Sequence, residues 1–171
     1  MEELEQVWSQ MLARAIEAAR IAGRSDIADY LTLKAANDLF RAAGVKWLFD
    51  SLIEIALEAS RSAPSITVER NDPHSFNFNG ANIVGSVLKV RQGVRCMSAE
   101  AGWTRTPADG FMRSGGLAVA RINHFGMPRA NAELLLTRTA EVPQWNRLVD
   151  GRVAGIFDEE EIRRHFALFA G

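Results

Sequence analysis

Apolar side chains recur at every third or fourth position through the first sixty residues, which is the spacing of an amphipathic helix. Gly23 suits the left-handed cap that ends a first helix, and Ser25 suits the N-cap of a second. The second helix is predicted to stop at Ala43-Gly44, before a third over 45–60. In the first helix, the stripe predicted to face a core consists of Leu4, Val7, Trp8, Met11, Leu12, Ala15, Ile16 and Ala19.

After Pro64 the apolar spacing changes to every second residue, which is typical of strands with one buried face. Asn71-Asp72-Pro73-His74 reads as a turn, and Gln92-Gly93 as a two-residue hairpin connection because glycine permits positive φ. The predicted strand segments are 66–70, the stretch around Phe76 and Phe78, 84–91, 94–99, 117–125 and 132–138. Their spacing predicts five or six antiparallel strands in a strongly bent sheet or small barrel.

The last twenty residues predict one further helix. Asp158 suits its N-cap, and three glutamates follow at the positive end of the helix dipole. The fold class is therefore α+β: an N-terminal helical hairpin or three-helix unit packed on a bent antiparallel sheet, with a C-terminal helix. We expect a single domain over 1–171, with a helical segment 1–62, a β segment 63–150 and a C-terminal helix in 151–171.

Composition is that of an ordinary globular chain, with 47% hydrophobic and 24% charged residues and a net charge of −1. A dedicated nucleic-acid binder normally carries a basic excess that neutralises phosphates, so nucleic acid is an unexpected partner. Residues 65–150 do hold ten basic and seven acidic side chains, an excess of three. That modest excess leaves single-strand binding on a basic sheet face as a minor possibility.

The lone Cys96 cannot form an internal disulfide, and nothing else points to an oxidising compartment. The start of the chain is acidic where a signal peptide would be basic, and no apolar run approaches the roughly 18 residues of a membrane span. We therefore expect a cytoplasmic protein that does not enter a membrane.

The three histidines are the first candidates for chemistry. Asp72, His74 and His124 could hold iron or zinc facially if neighbouring strands brought them together. The plainer interpretation is an Asx-Pro turn around His74, with His124 packed on a strand face, and it leads us to expect no bound metal and no cofactor. Cys96 with His124 as its base is a weaker candidate, because nucleophiles usually stand on sharp turns and not in mid-strand. No catalytic residue is predicted.

Two predicted connections between strands contain more side chains suited to binding than the rest of the chain does. The segment from 102 to 116 is a 15-residue stretch with no helix or strand pattern, and loops of that length are often functional. Its arginines could clamp a carboxylate or a phosphate, and a second connection spans 124–129. The candidate ligand- or partner-binding residues in these connections are Trp103, Arg105, Asp109, Arg113, His124 and Arg129. The plainer alternative is that both are ordinary hairpin connections.

These patterns favour a non-enzymatic protein–protein interaction or regulatory module of a bacterial-type cytoplasmic system, with another protein or a second copy of the chain as partner. The alternative is a small enzyme or ligand sensor with a pocket in the bent sheet, metal-dependent if Asp72, His74 and His124 converge. The sequence leaves open whether the protein is an enzyme, because its spacing supplies no nucleophile, base and stabiliser in evident reach of one another.

Overall fold

The computed structural model describes residues 2–112, 115–140 and 142–171, and the chain divides into two compact units, Met1–Phe40 and Arg41–Gly171. Within the described residues, no helix combines the length and the hydropathy required to cross a membrane. The elements in chain order are α1 Glu2–Ile21, α2 Ser25–Ser62, β1 Thr67–Phe78, β2 Ala81–Gln92, β3 Arg95–Trp103, β4 Ala118–His124, β5 Ala132–Thr139, β6 Val142–Val149, β7 Arg152–Ile156 and α3 Glu159–Ala170.

The N-terminal region contains two helices, not three. α1 ends as predicted, because Gly23 adopts a φ of 74° and the Arg24 amide donates to the Ala19 carbonyl at 2.8 Å. The predicted stop at Ala43-Gly44 is wrong, since α2 runs unbroken for 38 residues. A Cβ on Gly44 would lie 2.5 Å from a methyl group of Leu136, so the glycine serves a close helix–sheet approach.

The sheet is fully antiparallel, and its seven strands are ordered as they occur in the chain. The α+β class is confirmed, but the strand count is seven instead of five or six. The predicted turn at 71–74 is a bulge inside the 12-residue β1. β6 and β7 were missed, because Pro143 near the start of β6 and a buried Asn146 interrupt the apolar alternation that signals a strand.

The main core lies between one face of the sheet, here called the inner face, and the helices α2 and α3. Only the part of α2 beyond residue 44 contributes to this core, together with three apolar side chains of α3. Small residues on the central strands leave room for the helices. The principal buried members are Leu48, Phe49, Leu52, Leu88, Val90, Met97, Ala99, Ala101, Ala118, Ala120, Ile122, Leu134, Leu136, Trp145, Ile162, Phe166 and Phe169.

A second, smaller cluster lies on the opposite face of the sheet, here called the outer face. Its buried members are Phe76, Phe78, Ala81, Ile83, Val119, Leu135 and Leu148. Met112, from the connection between β3 and β4, packs against this cluster. The backbone of the same connection approaches the outer face closely at Gly116, where a Cβ would lie 2.2 Å from a Leu135 methyl group. The connection therefore covers part of the outer face.

Candidate functional site

The β3–β4 connection brings three of the predicted binding residues together. Trp103 ends β3, and the Arg105 guanidinium stacks 3.7 Å above the centre of its ring. Arg105 also donates to the Val84 carbonyl through Nε at 3.4 Å and through a terminal nitrogen at 3.2 Å. A stacked guanidinium with a fixed acceptor loses much of its freedom before any ligand arrives. Arg105 is therefore engaged within its own chain.

Asp109 organises the same connection from a single turn of 3-10 helix, Pro107–Asp109. Its carboxylate accepts hydrogen bonds from the Arg105 amide at 2.9 Å, the Thr106 amide at 3.1 Å and the Asn82 side-chain amide at 2.9 Å. The bond from Asn82 and the two backbone bonds hold the pKa of Asp109 below its ordinary value. This aspartate holds the loop in shape, and Phe111 beyond it is 85% exposed.

The other predicted binding residues are not part of that cluster. Arg113 lies outside the residues that the structure describes. Arg129 is exposed in a short turn at the opposite end of the sheet, beside Phe125 and Met127. The pairing of Met97 with His124 places that turn about six residues along β3 from Trp103, roughly 20 Å away at the rise of a strand. The two connections therefore form two separate surfaces.

His124 is 3% exposed and lies on the inner face of the sheet, within the core. Its Nε2 is 2.8 Å from Nδ1 of His165 in α3, and the two rings are stacked. The Asn131 side-chain oxygen accepts a hydrogen bond from the His124 backbone amide at 2.7 Å, and this bond closes the turn that follows β4. His124 thus joins β4 to α3 and does not face solvent with the loops.

Both imidazoles of this pair are held neutral. Burial lowers the pKa of His124, and burial together with the neighbouring His124 lowers the pKa of His165 to about 4. Nδ1 of His124 is buried and has no hydrogen-bond partner in the part of the chain that the structure describes. Because an unpaired acceptor is tolerated better than an unpaired N–H, we assign the shared proton to Nε2 of His124, which donates to His165.

The predicted metal set does not converge. His74 lies on the outer face, where its Nε2 is 2.8 Å from a carboxylate oxygen of Glu100, whereas His124 lies on the inner face. Asp72 pairs with Arg70 at 3.1 Å. Among the described residues, no group of three or more His, Cys, Asp or Glu side chains could hold a metal ion. The combination of Asp72, His74 and His124 as ligands of one ion is therefore wrong.

Glu100 belongs instead to a row of alternating charges across the outer face. The guanidinium nitrogens of Arg121 lie 3.4 Å from a carboxylate oxygen of Glu100 and 3.3 Å from one of Glu133. The register places these three residues directly opposite one another on neighbouring strands. The Arg121 guanidinium also donates to the Asn77 carbonyl at 3.2 Å. Cross-strand pairs of opposite charge stabilise a sheet, and this row connects β1, β3, β4 and β5. These charged side chains therefore stabilise the sheet.

No family model matches the chain. Comparisons with curated proteins and with solved structures find no match either.

The prediction that the apolar stripe of α1 faces a core is wrong for the first half of the helix. Leu4, Val7, Trp8 and Met11 are between 53% and 73% exposed. Nine of the 21 large hydrophobic side chains that are exposed in the described chain fall in Met1–Phe40. In the same stretch, Ala28 is the one hydrophobic residue that is buried among the described side chains. The periodicity that predicts a buried helix face cannot say whether the burying partner is in the same chain.

Proposed function

We propose that the protein is a non-enzymatic interaction module of a bacterial-type cytoplasmic system, and that Met1–Phe40 carries its docking surface. The observation that supports this most directly is the imbalance between exposed and buried apolar side chains in that unit. Isolated helices are marginal in water, and helical stability in proteins comes mostly from packing of an apolar face. A unit with so little apolar burial of its own gains stability when a partner covers it.

The distribution of apolar burial along the chain supports the same conclusion. Arg41–Gly171 contains nearly all of the buried hydrophobic side chains, including both clusters of the sheet. That unit can be stable through its own core, so the exposed stripe of α1 is not needed to build it. Apolar patches kept on a surface commonly mark interaction sites.

Site-specific photo-crosslinking in cells that naturally make the protein tests the proposal. A photoreactive aromatic amino acid at position 8 replaces Trp8 on the exposed stripe, and the same amino acid at Ser9, which lies about 100° around α1 from Trp8 and outside the stripe, provides the control. We expect a discrete crosslinked species from position 8 that is absent or much weaker from position 9. Equal labelling from both positions, or none from either, would contradict docking through α1.

The β3–β4 connection remains a second proposed docking element, because Phe111 is 85% exposed and Arg105 presents a stacked guanidinium beside Trp103. Aromatic side chains, phenylalanine among them, and arginine are enriched in protein–protein interfaces. If this connection docks, F111S weakens partner capture while V94S, which changes a 93% exposed residue of another turn, leaves it unchanged. Equal capture by both variants would make the connection purely structural.

The alternative function, a ligand sensor, is favoured by one cleft of about 320 Å³. Trp47 of α2 lines it together with the start of β6 and Ile156 at the end of β7. Its volume is at the lower limit of small-molecule sites, and its walls are mainly apolar. A change in tryptophan fluorescence on titration with small apolar carboxylic acids or alcohols, lost in I156E, would favour the sensor over the interaction module.

A further inference from the structure

Six exposed apolar positions of α1 form one narrow stripe, here called the α1 stripe and defined as Leu4, Val7, Trp8, Met11, Ala15 and Ala18. At 100° per residue these positions span about 100° of the helix circumference. The half-buried positions of the same helix, Leu12, Ile16 and Ala19, lie beside the stripe and not on it. The helix is therefore covered on one flank and open on the other.

The charges of α1 are distributed unequally along its length. Three glutamates fall within the first five residues, at 2, 3 and 5, whereas the arginines of α1, at 14 and 20, lie in its second half. Glu17 is the one acidic side chain in the basic half. A parallel pair of α1 helices would align glutamates with glutamates and arginines with arginines. An antiparallel pair aligns each acidic end with a basic half, and it also opposes the two helix dipoles.

We propose that the α1 stripe packs antiparallel against the α1 stripe of a second copy of this chain, with the two-fold axis near Trp8. This inference rests on the proposed docking function of the N-terminal unit and names its partner. Glu3 and Arg14 are both exposed and lie along the same edge of the stripe, because eleven residues make close to three helical turns. The two-fold axis then places Glu3 of each copy beside Arg14 of the other.

The same features disfavour a membrane surface as the occupant. Helices that lie in a bilayer interface carry lysine and arginine along the polar face, whereas α1 begins with a cluster of glutamates that anionic lipids repel. The overlap from about residue 2 to residue 15 is roughly 21 Å long, which is short for a stable interface. We therefore expect dissociation constants in the range of about 1–100 μM, so the association has to be measured over a concentration series.

Sedimentation velocity of the full-length protein from about 1 to 300 μM tests the proposal. We expect the weight-average mass to rise from 18.9 kDa toward twice that value. W8E places a charge at the centre of the contact, so it should weaken association at least about thirtyfold. S9E adds the same charge about 100° around α1 from Trp8, outside the α1 stripe, and should leave the association unchanged. A dimer that W8E and S9E affect equally would overturn the proposal.

Charge exchange separates the antiparallel arrangement from a parallel one. E3R alone and R14E alone should each weaken the dimer about threefold to tenfold, since each creates two like-charge contacts at the edges. The double variant E3R/R14E should recover the wild-type constant, because it exchanges the two partners. Additive losses in the double variant would overturn the antiparallel pairing, whatever effect the single substitutions have on the helix itself.

The proposed function can fail independently of this inference. A monomer at every concentration that still forms the position-8 crosslink in cells would overturn self-association and leave docking to a different protein. Binding of the full-length chain to neutral or anionic vesicles, lost in W8E, would overturn self-association in favour of a lipid surface. A monomer that forms no crosslink at position 8 would overturn both proposals.

Discussion

Acidification should destabilise this protein through its buried histidine pair. The pKa of His165 is lowered to about 4 by burial and by the neighbouring His124, whereas an unfolded chain restores the ordinary value of 6.5. Between those two values the unfolded state binds a proton that the folded state excludes. Stability therefore falls as pH falls from about 6.5 to about 4. The gap of about 2.5 pH units, at about 1.4 kcal/mol for each unit, gives a loss of about 3–4 kcal/mol, most of which has occurred by pH 4.5.

Urea unfolding at half-unit steps from pH 7.5 to 4.5 measures this loss. His165→Gln replaces the imidazole by an amide that does not titrate, so it should be less stable than wild type at pH 7.5 and should lose less stability on acidification. His74→Gln removes the imidazole that faces Glu100 on the outer face, so its curve shows what the loss of a histidine outside the pair does under the same conditions. Carboxylates titrate in all three proteins, so the comparison isolates the pair. Parallel curves for wild type and His165→Gln would refute the neutral-pair argument.

Three further outcomes follow from individual contacts. Gly85→Ala should lower the free energy of unfolding in urea by about 3 kcal/mol or more, because its Cβ would lie 1.9 Å from a backbone oxygen of β3. In the control Gly155→Ala, the added Cβ meets no described atom within 4 Å, so the free energy of unfolding should change little. Trp145→Phe should cost about 1–2 kcal/mol, since it removes the 2.8 Å hydrogen bond to the Gly44 carbonyl. Asp109→Ala removes the acceptor of three hydrogen bonds, so limited trypsin digestion should cleave the β3–β4 connection faster than in wild type.

The helix ends that depend on local chemistry could be read from the sequence. Gly23 needs only its own backbone freedom to end α1, and Asp158 caps α3 by accepting the Glu161 amide at 3.1 Å, as its position predicted. Gly44 has the sequence signature of a helix end, but it lies inside α2. A side chain at this position would collide with Leu136, which lies 92 residues later in the chain. No local pattern carries that information.

The candidate site was predictable to the same limited extent. The spacing grouped Trp103, Arg105 and Asp109 in one connection, and the structure does bring them together. His124 was a binding candidate of the second connection, 124–129, but the plainer interpretation that it packs on a strand face is the one the structure confirms, since its side chain is buried on the inner face. Its partner His165 comes from a helix 41 residues later, a pairing that only the tertiary fold creates.

The order of the seven strands has a consequence for how the chain folds during synthesis. Each strand pairs with the one that precedes it, so every hairpin can close as soon as its second strand has emerged. The part of α2 that covers the sheet is synthesised before any strand, so it is the last to find its packing partners. The Gly44 carbonyl, for example, accepts a hydrogen bond from Trp145, which lies 101 residues later in the chain. Until β6 and α3 leave the ribosome, Leu48, Phe49 and Leu52 lack part of their cover. A nascent chain stalled before Trp145 should therefore be a chaperone substrate, while release of the finished chain should end that dependence.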